Sequence, residues 1–128
     1  MKIKSIKIKA KKSEYPIRIY DSKNNQIYFE NSDGHWMKQE YDSNGNQTYF
    51  EDLTGSWYKI EYDSNGNQIY FENSTGYWTK NEYDSNNNLI YYENSAGYVE
   101  DNRPKPAKEM TVSEIIKKLG YEVKIIKD

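Results

Sequence analysis

A 21-residue segment, Tyr62 to Glu82 (YDSNGNQIYFENSTGYWTKNE), recurs along the chain at a fixed step, and this period limits the possible folds more than any other feature. Tyr20 to Glu40 and Tyr41 to Glu61 are earlier copies, and Tyr83 to Arg103 is a diverged fourth. A period of about 20 to 50 residues signals supersecondary units stacked in a row, each too small to bury a core alone. Every copy holds two turn signals, and between them lie short runs rich in Tyr, Phe, Trp and Ile, which favour strands. The unit is therefore a two-stranded hairpin. The expected fold is mainly β: an antiparallel meander of four 21-residue hairpin repeats in a curved sheet, with a short C-terminal helix and strand.

The Asn65-Gly66 centre of the first turn predicts a two-residue hairpin loop with positive φ at both positions. That loop sets Tyr62 opposite Ile69, Glu61 opposite Tyr70 and Lys59 opposite Glu72. The second turn, Asn73 to Tyr77, predicts a three-residue loop with Gly76 left-handed, which pairs Glu72 with Trp78 and Tyr70 with Lys80. Side chains alternate with period two, so an odd repeat flips its faces unless one of its turns is odd. One even and one odd turn keep the faces constant. One face, the ladder face, then carries three triplets (Trp36, Lys38, Glu40; Trp57, Lys59, Glu61; Trp78, Lys80, Glu82) and the intervening pairs Tyr49 with Glu51, Tyr70 with Glu72 and Tyr91 with Glu93. The other face carries Phe29, Phe50, Phe71 and Tyr92, and varies at Met37, Tyr58 and Thr79, where contacts peculiar to one copy would be written.

With 35% hydrophobic residues, three Trp and 14 Tyr in 128 residues, and a mean hydropathy of −1.14, the chain is expected to form one unit with a thin, aromatic core. It has no cysteine, which excludes disulfides, thiolate metal sites and a cysteine nucleophile. No apolar run reaches the roughly 18 residues of a membrane span, so no membrane association is expected. The net charge of −2 hides an asymmetry. Residues 1–18 carry seven Lys or Arg against Glu14 alone, whereas residues 19–100 carry four Lys against fourteen Asp or Glu. The repeat body is acidic, with a basic stretch before it.

That basic stretch, Met1 to Lys9, reads as an edge strand whose lysines block aggregation, with a bulge at Ser5, or as an arm for nucleic acid. Tyr15 to Tyr20 matches half a repeat and completes an N-terminal cap over residues 1–19. The hairpin array covers 20–103, where Pro104 and Pro106 end strand pairing. Residues 104–128 form a C-terminal cap. Thr111 and Glu114 make a capping box, a helix starts at Val112, and Gly120 ends it. A helix this short cannot hold itself together in water, so it is expected to dock on the variable face of the sheet. Tyr121 to Lys127 reads as one more strand.

The Asp-Ser-Asn-Gly-Asn turns suggest calcium loops, but counting from Asp42 puts Gln47 and Leu53 where an EF-hand needs Gly and Glu, so turn chemistry is the simpler account. His35, the only histidine, has no second histidine or thiol to join it. The repeated carboxylates occupy like environments, whereas acid/base catalysis needs unlike ones. No enzyme activity, cofactor or metal is expected. The three evenly spaced Trp residues fit stacking on sugar rings, which makes a carbohydrate-binding repeat protein the alternative reading.

The repeated Tyr-Asp-Ser-Asn-Gly-Asn core, with a Gly near the end of each copy, resembles the YD repeats of Rhs-like proteins and the short phage and prophage proteins that carry them. Four copies cannot close an Rhs-type shell, and the tail is too short for a toxin. The resemblance implies a small phage accessory protein in the cytoplasm of a bacterial host, a class that includes anti-CRISPR-like inhibitors of defence enzymes. The expected function is a non-enzymatic binder that inhibits or modulates a bacterial nucleic-acid-handling protein, such as a nuclease or its nucleic-acid complex. Direct contact with nucleic acid would fall to the N-terminal lysines. The residues expected to bind are Trp36, Glu40, Trp57, Tyr58, Glu61, Trp78 and Glu82.

Overall fold

Turn-forming and strand-forming stretches alternate so regularly that each strand finds its partner next in sequence. The computed structural model describes residues 10–106 and 109–120. A short 3-10 turn at Lys12–Glu14 precedes nine strands: β1 (Ile17–Tyr20), β2 (Gln26–Glu30), β3 (Trp36–Tyr41), β4 (Gln47–Asp52), β5 (Trp57–Tyr62), β6 (Gln68–Asn73), β7 (Trp78–Tyr83), β8 (Leu89–Asn94) and β9 (Val99–Asp101). They form one antiparallel sheet in sequence order, with β1 and β9 at its two ends. The helix α1 (Val112–Leu119) follows. The strands read from Met1 to Lys9 and from Tyr121 to Lys127 lie outside the described residues.

Both turns of each repeat are three-residue loops, which corrects the two-residue loop expected at Asn65-Gly66. The Asp63 N–H donates to the Asn67 carbonyl at 2.9 Å and the Gly66 N–H to the Asp63 carbonyl at 3.1 Å. Gly66 is left-handed (φ 82°), and Asn65 is not. The cause is Asp63. Its Oδ1 accepts the N–H groups of Asn65 and Asn67, both at 2.9 Å, and its Oδ2 accepts from Asn67 Nδ2 at 3.1 Å. A side chain that satisfies two turn N–H groups favours this loop over the tighter hairpin turn. Asp21, Asp42 and Asp84 repeat the arrangement, and Asn31, Asn73 and Asn94 start the same kind of loop at the second turns.

The faces nevertheless stay constant, because a bulge supplies the missing parity. Glu61 pairs with Tyr70, but Tyr62 pairs with Gln68, so Ile69 is an extra residue rather than the partner of Tyr62. Ile27, Thr48 and Ile90 are extra in the same way in the other copies. Such a bulge shifts the register by one and bends the strand locally. Beyond it the expected ladder is present: Lys59 opposite Glu72 on one side and Tyr49 on the other, and Glu72 opposite Trp78.

No second layer covers this sheet among the described residues, and only Tyr28 (4% exposed) and Thr79 (7%) are buried. In place of a core, rings stack along the Phe-bearing face, Phe50 on Tyr58 at 5.2 Å and Tyr58 on Phe71 at 6.1 Å. Such ring pairs each contribute about 0.5–1.5 kcal/mol beyond their burial. At the C-terminus the Thr111 hydroxyl accepts the Glu114 N–H, the Glu114 carboxylate accepts the Thr111 N–H, and Gly120 closes the helix in the left-handed region. The docking expected of α1 is not observed. The helix has no buried residue, and its stripe of Val112, Ile115 and Leu119 is exposed. Pro104 and Pro106 have no N–H to extend the ladder, so the chain leaves the sheet after β9.

Asn24 and Asn87 are left-handed where the second and third copies have Gly45 and Gly66. A Cβ at Gly66 meets no atom within 4 Å, so any cost of substitution is conformational. Gly66→Val is expected to destabilise the array by about 1–2 kcal/mol, with Gly66→Asn near neutral. Thermal melts of the two variants check this, and equal midpoints would overturn the loop assignment.

The turn aspartates generate a pH dependence. In Asp21, Asp42, Asp63 and Asp84 the carboxyl is held below the ordinary value of 3.8, chiefly by the backbone N–H four residues on, against a smaller opposing effect of burial. A depressed value in the folded state means that their stabilisation is complete above the unfolded value and is lost as pH falls through the folded one. The melting temperature should hold from neutrality to about pH 5 and drop below about pH 4. Changing all four to Asn, which starts the loops at Asn31, Asn73 and Asn94, should make that drop shallower.

Candidate functional site

The hydrogen-bonded register places Trp36, Glu40, Trp57, Glu61, Trp78 and Glu82 on one face of the sheet, together with Lys38, Lys59 and Lys80. Tyr58 lies on the opposite face, where it stacks on Phe50 and its hydroxyl donates to Gln47 Oε1 at 2.8 Å. Six of the seven residues expected to bind thus share a surface. Tyr58 belongs to the aromatic row behind it.

The charges on the ladder face do not cancel as their cross-strand placement suggests. Among the described residues, both ion pairs are made by Arg103, and none by Lys38, Lys59 or Lys80. Lys38 Nζ lies 4.8 Å from the centre of the Trp36 ring and Lys80 Nζ 5.1 Å from that of Trp78. The ammonium groups lean on indoles, a favourable contact with the ring face. A lysine of the same chain thus occupies a ring face of Trp36 and of Trp78, in competition with a stacking sugar, whereas Trp57 has no such contact among the described residues.

The tyrosines between the triplets join a second network. The hydroxyls of Tyr49, Tyr70 and Tyr91 donate to Glu51, Glu72 and Glu93 at 3.3, 3.2 and 2.9 Å. Their pKa values are raised: at Tyr49 and Tyr70 burial is the largest cause, followed by the neighbouring carboxylates, and at Tyr91 the hydrogen bond to Glu93 comes first. Glu51 and Glu72 are thereby engaged. Glu40, Glu61 and Glu82 form a separate row, with Glu40 opposite Tyr49, Glu61 opposite Tyr70 and Glu82 opposite Tyr91. Glu61 and Glu82 are exposed, and Glu40 is half-buried.

The last strand breaks the pattern in a way that sequence reasoning missed. A step of 21 from Lys80 and Glu82 reaches Asp101 and Arg103, so the fourth copy reverses both charges. The Arg103 guanidinium lies 4.2 Å above the Tyr91 ring, bonds to Asp101 through Nε (2.9 Å) and Nη2 (2.8 Å), and reaches Glu82 through Nη1 at 3.1 Å. The hydrogen bond from Arg103 holds the Asp101 carboxyl down at about 2. Beside it runs a shallow groove lined by Glu61, Tyr70, Lys80, Glu82, Tyr91 and Arg103. Comparison of the copies at their fixed step would have found the reversal, which loss of the Trp at Val99 obscures.

The turn aspartates have both carboxylate oxygens occupied by the turn's own donors, as at Asp63, so the loops hold protein N–H groups where a calcium site would hold the ion. His35 is an exposed turn residue whose N–H donates to Asn31 Oδ1. Among the described residues, no helix is long and apolar enough to cross a membrane. No protein-family model matches the chain, and no curated protein matches it in sequence.

Proposed function

We propose that the chain is a binding protein that presents the acidic ladder face to a basic protein surface. The observation that carries this reading is the row Glu40, Glu61 and Glu82, repeated at a fixed interval on a sheet face that no other element covers among the described residues, where Glu82 is paired with Arg103 and neither Glu40 nor Glu61 is paired with a described lysine. Bacterial nucleic-acid-handling proteins use basic grooves to hold phosphates, and a regular row of carboxylates competes for such a groove. The partner is therefore read as a nuclease or a related defence protein in a bacterial cytoplasm, which the chain inhibits or modulates. The likeness of its repeats to those of short phage proteins supports the same role. The rigid register favours recognition by a preformed surface, since the strands hold the carboxylates in place before binding.

Full-length protein immobilised against bacterial lysate, with mass spectrometry of what it retains, identifies the partner, and binding kinetics then test the mechanism. Rising salt should weaken the complex, because exposed charges are screened over about 8 Å at physiological ionic strength. Changing Glu40, Glu61 and Glu82 together to Gln should slow association about tenfold and alter dissociation less. A salt-insensitive complex would overturn the reading. So would a folded Trp57→Ala variant that loses binding while the Gln variant keeps it, which would assign recognition to the aromatic rings.

A further inference from the structure

The molecule already holds one guanidinium on this face, and the repeat shows where others would fit. Arg103 lies over Tyr91 and bonds to Glu82. Two strands back, Tyr70 is opposite Glu61 on β5 and Lys80 on β7, with Glu82 two residues beyond Lys80 on the same face. Two further back, Tyr49 is opposite Glu40 on β3 and Lys59 on β5, with Glu61 two residues beyond Lys59. Each has the ring and one of the two carboxylates that Arg103 uses, Glu61 or Glu40 in the register of Glu82, with Lys80 or Lys59 where the last step has Asp101, and neither has an arginine of its own chain. Lys80, the cation nearest the Tyr70 step, is turned onto Trp78. The groove beside Arg103 has Tyr70, Glu61 and Glu82 in its walls.

We infer that the Tyr49 and Tyr70 steps are docking positions for arginine side chains of an extended partner segment, each guanidinium lying on a tyrosine ring and bonding to a glutamate of the adjacent strand. This deepens the reading of the ladder face as an acidic binding surface and rests on it. Planar guanidinium suits the step better than ammonium, because it stacks on a ring and bonds a carboxylate through its edge at once. The spacing identifies the segment further. Successive steps are two strands apart, about 9.5 Å. Three residues of a polyproline-type segment span about 9.3 Å, so arginines three apart match the steps. Arginines at adjacent positions, with Cα atoms about 3.8 Å apart, must splay their side chains to reach both, which costs side-chain freedom. Arg103 then acts as a terminator that fills the last step from within.

The test is a titration of isotope-labelled full-length protein with synthetic peptides, followed by amide NMR shifts at low salt. The probes are a Ser-Pro peptide carrying two arginines three residues apart, its lysine counterpart, and an isomer with the arginines adjacent. Shifts should centre on Tyr49, Glu61, Tyr70 and Glu82, and the spaced arginine peptide should bind about fivefold more tightly than the lysine peptide. Glu61→Gln, at an exposed position shared by both steps, should weaken it with the fold unchanged. Arg103→Glu should free the Tyr91 step and tighten binding of a three-arginine peptide. Equal affinity for the lysine and arginine peptides on this face would overturn the guanidinium steps while leaving the acidic-surface reading intact. Shifts confined to the Phe-bearing face, or none at all, would overturn both.

Discussion

The structure depends on one small interaction repeated at every corner: the side-chain oxygen of an Asp or Asn accepts the N–H of the residue two further on. Asp21, Asn31, Asp42, Asp52, Asp63, Asn73, Asp84 and Asn94 all make it. In a two-layer domain a strand that slips by one residue is penalised by its buried face. Here only Tyr28 and Thr79 are buried among the described residues and most of the other strand residues are half-buried, so a slip would meet less resistance from packing. The turns therefore carry the specification of register, and through it the division of Trp, Lys and Glu from Phe and Tyr58 across the two faces.

Most of the ladder was legible in the sequence, since a 21-residue period and strict alternation determine which residues face together once the turns and bulges of each repeat sum to the right parity. Loop type was less legible because the Asn65-Gly66 pair and the Asp63 side chain favour different turns, and Asp63 prevails by satisfying two N–H groups together. The residue displaced by that choice reappears as the bulge at Ile69, so a wrong loop and an unseen bulge cancelled in the face assignment. The ends of α1 were legible from Thr111, Glu114 and Gly120, but its placement was not, because local capping determines where a helix begins and not what it touches. On the candidate face the Trp and Glu residues were read from the repeat. Arg103 was not, because the fourth copy diverges from the others, with Val99 in place of the Trp, and that divergence hides the reversal of both charges at positions 101 and 103.

The face combines two uses of positive charge. Lys38 and Lys80 lie on indoles within the sheet, where a flexible ammonium suffices, and the only described arginine on this face spans a ring and two carboxylates at once. This division leaves a line of glutamates that repel one another and are kept apart by the strand spacing, with an intervening strand holding each from the next. Their separation, close to a Debye length in physiological salt, keeps that repulsion small while the row still acts as a unit on a rigid polycation.

Because each strand bonds only to its sequence neighbours, the array has no built-in length. Duplication or loss of one 21-residue unit inside it would leave every remaining strand with a partner of the same kind, and would lengthen or shorten the molecule by about 9.5 Å, two strand spacings. Near-identical tandem coding segments are prone to unequal exchange, so such changes of size arise readily. A lineage carrying this fold could alter the reach of its surface in whole steps without inventing a new contact, while the two ends, with β1 following Pro16 and β9 preceding Pro104, continue to close whatever lies between them.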